Sequence, residues 1–413
     1  MNLVLFTHPQ FLGIRSQILF VQSLARALGE RGHRVEVRQP KARMRSLIVD
    51  GTLAKWAGYV DQYLLFPIEL RAAMRSDPED TLYVFCDQAL GPWLPAVAHR
   101  PHVVHCLDLL ALRSALGDIA ENPTSLTGRL YQRYIRRGFR QARHFISISE
   151  HTRVDLHRFG GVTPITSEVV YLDLNHPYQP VENDDALRTL RARGLPADAR
   201  RCVLHVGGGQ WYKNTTGVVR IYAAFAAAAI GAGEPVPPLW IVGPPPGEAL
   251  TAALVGIAAP AEVRFFSGLD ADALEALYSH AVALLFPSLA EGFGWPIVEA
   301  MACGCPVITT GETPMTEVGG DEAIYLPRLR IGDDIDAWAL AGATVLRDVI
   351  RRPEAERRRA ADAGRRRAAR FAGAAAIDRY LSIYQRVLAL HLFRDETRHE
   401  ECRSDVVVRR DPP

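Results

Sequence analysis

The stretch VALLFPSLAEGFGWPIVEAMACGCPVITT, residues 282–310, decides the fold. Val282 to Phe286 is a short apolar run closed by Pro287 and Ser288, the pattern of a buried parallel strand. The loop SLAEGFGW follows, and its Gly292 and Gly294 permit positive φ and close approach to a ligand. Pro296 suits the first turn of a helix, Gly304 its C-terminal stop, and Pro306 to Thr310 the next strand. The stretch is therefore one βαβ unit.

Two carboxylates give this unit its chemistry: Glu291 in the loop and Glu299 in the helix, with seven residues between them. Trp295 precedes Pro296, so no good side-chain N-cap is present, and the N–H groups of Ile297 and Val298 are expected to need another partner, which an anion could be. A carboxylate at Glu291 cannot share a spot with a phosphate, so it is placed beside it, accepting hydrogen bonds from uncharged hydroxyls such as those of a sugar. A first-turn acid on a helix dipole and a solvated loop glutamate are the plainer readings of the same residues. The longer string FPSLAEGFGWPIVEAMACGCPVI resembles the donor-site signature of retaining glycosyltransferases of the two-domain GT-B fold, family four, the group that includes mannosyltransferases. The resemblance implies that Glu299 holds the ribose of a nucleotide. It also implies that Glu291 and the backbone of Phe293 and Gly294 meet the donor sugar and its phosphate.

A chain of 413 residues has room for two domains, each with its own core. With 48% apolar and 23% charged residues it reads as soluble and globular, and a net charge of +2 does not argue for a nucleic-acid partner. Lys41, Lys55 and Lys213 are the only lysines, every other basic position being arginine. The six cysteines lie mostly in or beside apolar runs without CxxC pairing, which fits reduced thiols in a cytoplasmic protein and no zinc site. Residues 1–6 lack the basic start of a secretion signal, and no stretch reaches the roughly 18 apolar residues of a membrane span, so membrane contact would be peripheral, at the inner face.

In the N-terminal half, Leu3 to Phe6 is a strand, Gln17 to Leu28 a helix and Arg34 to Val37 the next strand, without GxGxxG. Gly13 lies in the first loop; the resemblance turns that loop toward the interdomain cleft, and plain loop geometry explains it equally. The aromatics Trp56, Tyr59, Tyr63 and Phe66 read as core of a helical pair. The strands ending at Phe85 and His105 lead to Asp87, His105 and Asp108, at strand ends where α/β sheets bind ligands. HCLDLLALRSALG resembles the family segment at which a histidine contacts a sugar, which makes His105 a candidate beside its structural reading. Residues 129–144 place arginine at 129, 133, 136, 137, 140 and 143 on one helix face and Leu130, Tyr134, Ile135, Phe139 and Ala142 largely on the other. That pattern suits a solvated face or a rest on anionic lipid.

VVYLDLNHPYQPVENDD loses periodicity, so a linker is expected around 175–195. The second domain opens with the strand Cys202 to Val206 and the loop GGGQWYKN, whose glycine amides and Lys213 can cradle phosphate. In the family this loop carries glycine-arginine, four residues and lysine; here Gly208 stands at the arginine position, so one cation is missing. The arginine-rich run 349–371, interleaved with Glu354, Glu356 and Asp362, reads as a solvated helix. Residues 374–394 regain helical spacing and 396–413 have neither periodicity nor core. The expectation is two doubly wound Rossmann-like α/β domains facing across a cleft, the GT-B fold: 1–178 on the acceptor side, 196–372 binding the nucleotide sugar, 373–395 a helix packing back on the first, and 396–413 a disordered tail. Glu291, His105 and Lys213 are the expected catalytic residues, and Gly13, Gly208, Gly209, Lys213, Phe293, Gly294 and Glu299 the expected donor contacts. The co-substrate would be a nucleotide-diphosphate sugar, used without a metal, and the acceptor a saccharide or lipid-linked saccharide. An epimerase acting on the sugar nucleotide, or an inactive sensor of it, would use the same pocket.

Overall fold

Among the described residues twelve strands form two sheets, and the central strands are buried at nearly every position, so each sheet needs cover on both faces. The computed structural model describes the chain except residues 14, 49–50, 197–200, 372–374 and 409–413, and only the backbone of 15–16 and 394–408. It divides into two compact units: unit 1 is Met1–Asp118, Pro123–Tyr171 and Ala374–Pro413, and unit 2 is Ile119–Asn122 and Leu172–Gly373.

Unit 1 carries β1 (Asn2–Phe6), β2 (Arg34–Arg38), β3 (Leu82–Phe85), β4 (His102–Cys106), β5 (His144–Ser147) and β6 (Thr166–Val169), all parallel, in the order β2-β1-β3-β4-β5-β6. Successive strand residues point to opposite faces. Val4, Phe6, Tyr83, Phe85, Val104 and Phe145 join one core with Phe66, Trp93 and Phe139. Their neighbours Leu3, Leu5, Leu82, Val84, Val103 and Ile146 join the other, which is closed by Tyr380, Ile383, Tyr384 and Val387 of the Ala375–Val408 helix. The return of the chain's last helix to the first sheet was expected. Its reach was not: the backbone stays helical to Val408, through most of the stretch read as a disordered tail, while the rest of that tail lies outside the described residues. Good helix formers such as arginine and glutamate extend a helix whose first turns are already anchored by packing.

Unit 2 carries β7 (Val203–Val206), β8 (Leu239–Val242), β9 (Val263–Phe266), β10 (Ala283–Phe286), β11 (Val307–Thr310) and β12 (Ile324–Leu326), again parallel, ordered β12-β11-β10-β7-β8-β9. The expected linker is partly structured: Asn183–Ala192 is a helix that buries Ala186, Leu187 and Leu190, belongs to unit 2 and packs on the Ala271–His280 helix. Three apolar residues within one turn suffice when a neighbour supplies the rest of the core. The arginine-rich run folds as the Glu354–Ala368 helix with exposed Glu354 pairs to Arg357 and Arg358, in agreement with a solvated face. No helix among the described residues is long and apolar enough to cross a membrane.

Candidate functional site

In unit 2 the order of the strands reverses direction between β7 and β10, which are adjacent. The loops leaving the carboxyl ends of two such strands diverge and open a crevice, the place where doubly wound sheets bind ligands. The residues singled out at 207–214 and 287–299 are those two loops together with the start of the helix that follows the second.

The β7 loop is shaped by what lies beneath it. A Cβ on Gly207 would sit 2.8 Å from His205 Nε2, and one on Gly209, at φ +81°, would sit 2.7 Å from the Pro244 ring. Neither position accepts a side chain without movement. Gly208 differs, because a Cβ there meets only the flexible end of Gln210. His205 is wholly buried; its Nδ1 lies 2.9 Å from the Leu285 carbonyl, which can only accept, so Nδ1 carries the proton and Nε2 accepts from the Thr215 hydroxyl at 3.3 Å. Burial lowers its pKa to about 4, which keeps the ring neutral under the glycines.

Lys213 closes the short turn Trp211–Lys213, and its ammonium donates to Glu291 Oε1 at 2.7 Å. Both side chains are nearly buried, with 13% and 7% of their surface exposed. The ammonium also lies 4.8 Å from the centre of the Phe286 ring. Asn214 stitches the two loops together: its carbonyl oxygen caps the Thr215–Gly231 helix through Gly217 N–H, and its amide donates to the Pro287 carbonyl at 3.0 Å. A second stitch runs from Leu289 N–H to the Tyr212 carbonyl at 2.7 Å, and Arg328 Nε holds the Leu289 carbonyl at 2.8 Å.

Glu299 sits in the Trp295–Ala302 helix, buried, and accepts from the Tyr278 hydroxyl at 2.7 Å. Burial pushes its pKa up to about 7, against the opposing pull of the Tyr278 hydrogen bond and the Lys213 charge. Lys213, Glu291 and Glu299 are therefore brought together. The helix start is less open than its sequence implies. Gly294, at φ +103°, provides no side-chain cap, but its carbonyl already accepts from Ile297 N–H at 3.0 Å. The expectation of an unengaged Ile297 amide does not hold. The open polar groups at this end are instead the Ser288 hydroxyl and the Trp295 indole N–H, both enclosed and without a hydrogen-bond partner among the described residues. Phe293 is buried edge-on against Phe371 at 5.7 Å.

The other two expected site residues belong to unit 1. Gly13, at φ +66°, terminates the Gln10–Leu12 turn, a backbone role that accounts for the glycine. His105 is fully buried under the Ala375–Val408 helix, with Nε2 on the Tyr384 hydroxyl at 2.7 Å and Nδ1 enclosed without a partner among the described residues. Burial holds its pKa down near 3. In this structure it presents no nitrogen to a ligand. The carboxylates at the neighbouring strand ends act as local caps: Asp87 accepts from Ala89 N–H at 2.8 Å and lies 3.0 Å from His8, and Asp108 accepts from Leu110 N–H at 3.0 Å.

Sequence reasoning overlooked His205, Tyr278, Arg328 and Asn214. Asn214 was within reach, since asparagine ahead of a helical run is a strong N-cap signal. The others act through contacts with residues 21 to 80 positions away and leave no local mark.

Comparison with known proteins follows the same lines. The model described as Glycosyltransferase Family 4 matches residues 19–172, and that described as Glycosyl transferases group 1 matches 200–348. The O-antigen chain mannosyltransferase B of Escherichia coli is 37% identical over 75 residues, 18% of this chain and 19% of that protein. The chain spans less than a third of the length of the first curated relatives it matches. Among solved structures, the sucrose-phosphate synthase of Thermosynechococcus elongatus superposes with a TM-score of 0.67 at 19% identity, covering 94% of this chain and 100% of that one. Anabaena HepE, in complex with UDP and glucose, gives 0.62 at 17%, covering 92% and 98%. At these identities the structures speak for the fold. With one model on each half, and two parallel six-stranded sheets beneath them, the chain belongs to the group 1 glycosyltransferases of the GT-B fold.

Proposed function

We propose that the protein transfers a hexose, mannose in our reading, from a nucleotide-diphosphate sugar to the hydroxyl of a saccharide or lipid-linked acceptor, with retention of anomeric configuration and without a metal ion. One observation carries this reading: a buried ammonium and carboxylate, Lys213 and Glu291, hold each other at 2.7 Å in the crevice at the switch between β7 and β10, next to a glycine loop and a second buried acid, Glu299. A diphosphate entering beside Gly207–Gly209 takes the Lys213 ammonium as its own counter-ion and frees Glu291 to accept hydrogen bonds from sugar hydroxyls. Ionised Glu299 accepts from the ribose. Negative charge grows on the leaving diphosphate as the glycosidic bond breaks, so a cation and amides already aimed there favour the transition state over the ground state. Phosphate-facing charge rests on one lysine, since Gly208 supplies no second cation. The mannose assignment and a role in polysaccharide or glycolipid assembly draw support from the O-antigen mannosyltransferase that the chain resembles over 75 residues.

The test is transfer itself. Purified protein is incubated with labelled GDP-mannose, UDP-glucose or other sugar nucleotides and an acceptor mixture, with and without a chelator, and the product's anomeric coupling is read by NMR. Chelator-resistant transfer with the donor's configuration supports the reading. Epimerisation of the sugar nucleotide without an acceptor, or an inverted product, contradicts it.

A further inference from the structure

The reversal of strand order that opens a crevice in unit 2 has a counterpart in unit 1. β1 pairs with β2 on one side and with β3 on the other. The loops leaving the carboxyl ends of β1 and β3 therefore diverge, and the rule that places a ligand between β7 and β10 places one here as well. His8 stands two positions past the end of β1, and Asp87 two positions past the end of β3. Pro9 restricts the backbone of His8 to an extended conformation, which helps to fix where its ring begins.

The two side chains form a dyad. His8 Nε2 lies 3.0 Å from Asp87 Oδ2, and a carboxylate only accepts, so Nε2 carries the proton. The Gln17 side-chain amide donates to the same oxygen, and Ala89 N–H donates to Oδ1 at 2.8 Å. With three donors on it and 5% of its side chain exposed, Asp87 is fixed in place, and it fixes the tautomer of His8 in turn. The lone pair is left on Nδ1. That nitrogen has no hydrogen-bond partner among the described residues, and 12% of the His8 side chain is open. The other histidines at strand ends differ: His205 has both nitrogens engaged, and His105 is wholly enclosed. The loop that carries His8 runs on into the wall of a cavity of about 780 Å³, where Gln10, Phe11, Gln39, Lys41 and Phe66 offer polar groups and two rings. A polyhydroxylated ligand has room there.

A transfer needs a second substrate, whose hydroxyl must lose its proton as it reacts, and an imidazole with one nitrogen anchored on a carboxylate and the other open suits that task. We infer that His8 is a catalytic residue of the acceptor half of the reaction, taking the proton of the acceptor hydroxyl on Nδ1, with Asp87 as its positioning residue. The acceptor oxygen bonds to the anomeric carbon, the bond from that carbon to the diphosphate oxygen breaks, and its electron pair leaves with the diphosphate. The acceptor's proton passes to Nδ1, and the Asp87 carboxylate holds the imidazolium so formed. This role rests on the transfer reading but not on the stereochemical outcome.

The test compares the full-length wild-type protein with His8→Gln, Asp87→Asn and the double variant, using a labelled sugar nucleotide (GDP-mannose in our reading) and a mannoside acceptor. Glutamine still accepts a hydrogen bond but takes no proton, so His8→Gln should lower kcat about 100-fold or more while KM for the acceptor changes little. Asp87→Asn keeps an oxygen for Ala89 N–H but turns a donor toward the ring, which reverses the tautomer, and should lower kcat on a similar scale. The double variant should be no slower than His8→Gln alone, because Asp87 acts through His8. Stabilisation by GDP or UDP should be the same in all four proteins. Nitrogen NMR of histidine-labelled wild-type protein should find the His8 proton on Nε2, a measurement that needs no variant. A kcat near the wild-type value in His8→Gln, additive losses in the double variant, or a proton on Nδ1 would overturn the role and leave the transfer reading standing. No turnover by the wild-type protein would overturn the transfer reading, and the role would fall with it.

Discussion

Lys213 and Glu291 lie 78 positions apart in the chain and meet at 2.7 Å, so each is the other's nearest solvent substitute until a ligand arrives. Replacing one leaves the partner buried and unpaired, which is costly in a nearly enclosed site. Lys213→Ala is expected to lower kcat for transfer by two or more orders of magnitude, the scale of losing one transition-state charge partner. Steady-state kinetics on the folded variant check this. Glu299 makes a pH prediction. In the folded protein it keeps its proton until about pH 7, whereas the unfolded chain releases it near 4.5. Between those values the folded state binds the extra proton, so stability falls as pH rises from 4.5 to 7 and then stays at the lower level. Glu299→Gln, which still accepts from Tyr278, removes this slope, and denaturant unfolding should find the variant the more stable at pH 8, by up to roughly 3 kcal/mol, and little different at pH 4. Equal slopes in the two proteins would show that Glu299 ionises normally. Of these residue-level facts the sequence made the actors legible, through their spacing and their likeness to a known signature. It did not reveal that Lys213 neutralises Glu291 or that Tyr278 holds Glu299, since the first pairing joins two loops 78 positions apart and the second joins two separate helices, contacts that only the fold makes. His105 was read as a candidate beside a structural histidine, and the sequence could not show its packing, because its neighbours come from residues 380 and 384.

At the scale of elements, the site depends on two loops held side by side. Asn214 both caps the Thr215–Gly231 helix and ties it to Pro287. Asn214→Ala should cost about 1–2 kcal/mol for the cap, measured by thermal or chemical unfolding, and weaken donor binding as the loops separate. The glycines are not equivalent. Gly207→Ala drives a methyl group toward the buried His205 ring and the Lys213 stem and should lower both stability and donor affinity. Gly208→Arg meets only Gln210, restores a cation beside the diphosphate, and should tighten nucleoside-diphosphate binding without loss of stability. Calorimetric titration of the two variants distinguishes them: equal loss in both would mean that the loop does not approach phosphate. The βαβ unit at 282–310 was legible because Pro, Gly and apolar runs punctuate it clearly. The Asn183–Ala192 helix was not, because its apolar face amounts to three residues and its neighbours are prolines and acids that read as linker.

On the scale of the whole chain, two parallel sheets were legible from short apolar runs separated by helical spacing, and the last helix from the period of residues 377–388, its return to the first sheet being what the family resemblance implied. The boundary was less so, because residues 119–122 and 172–192 join unit 2 through contacts rather than through any change in composition. The returning helix completes unit 1: Tyr384 reaches His105 across 279 positions. Tyr384→Phe should cost about 1–3 kcal/mol by leaving buried His105 unpaired on both nitrogens, while donor binding in unit 2 is unchanged; denaturant unfolding followed by ligand titration checks both halves of that statement. The central claim is that the β7 and β10 loops of unit 2 form a pyrophosphate and ribose site. Its most direct test is titration of the wild-type protein and Lys213→Ala with a panel of nucleoside diphosphates in the presence of a chelator. At least one nucleoside diphosphate is predicted to bind and stabilise the wild-type protein, with affinity at least tenfold weaker in Lys213→Ala. No stabilisation by any member of the panel, or equal affinity in the two proteins, would contradict the account.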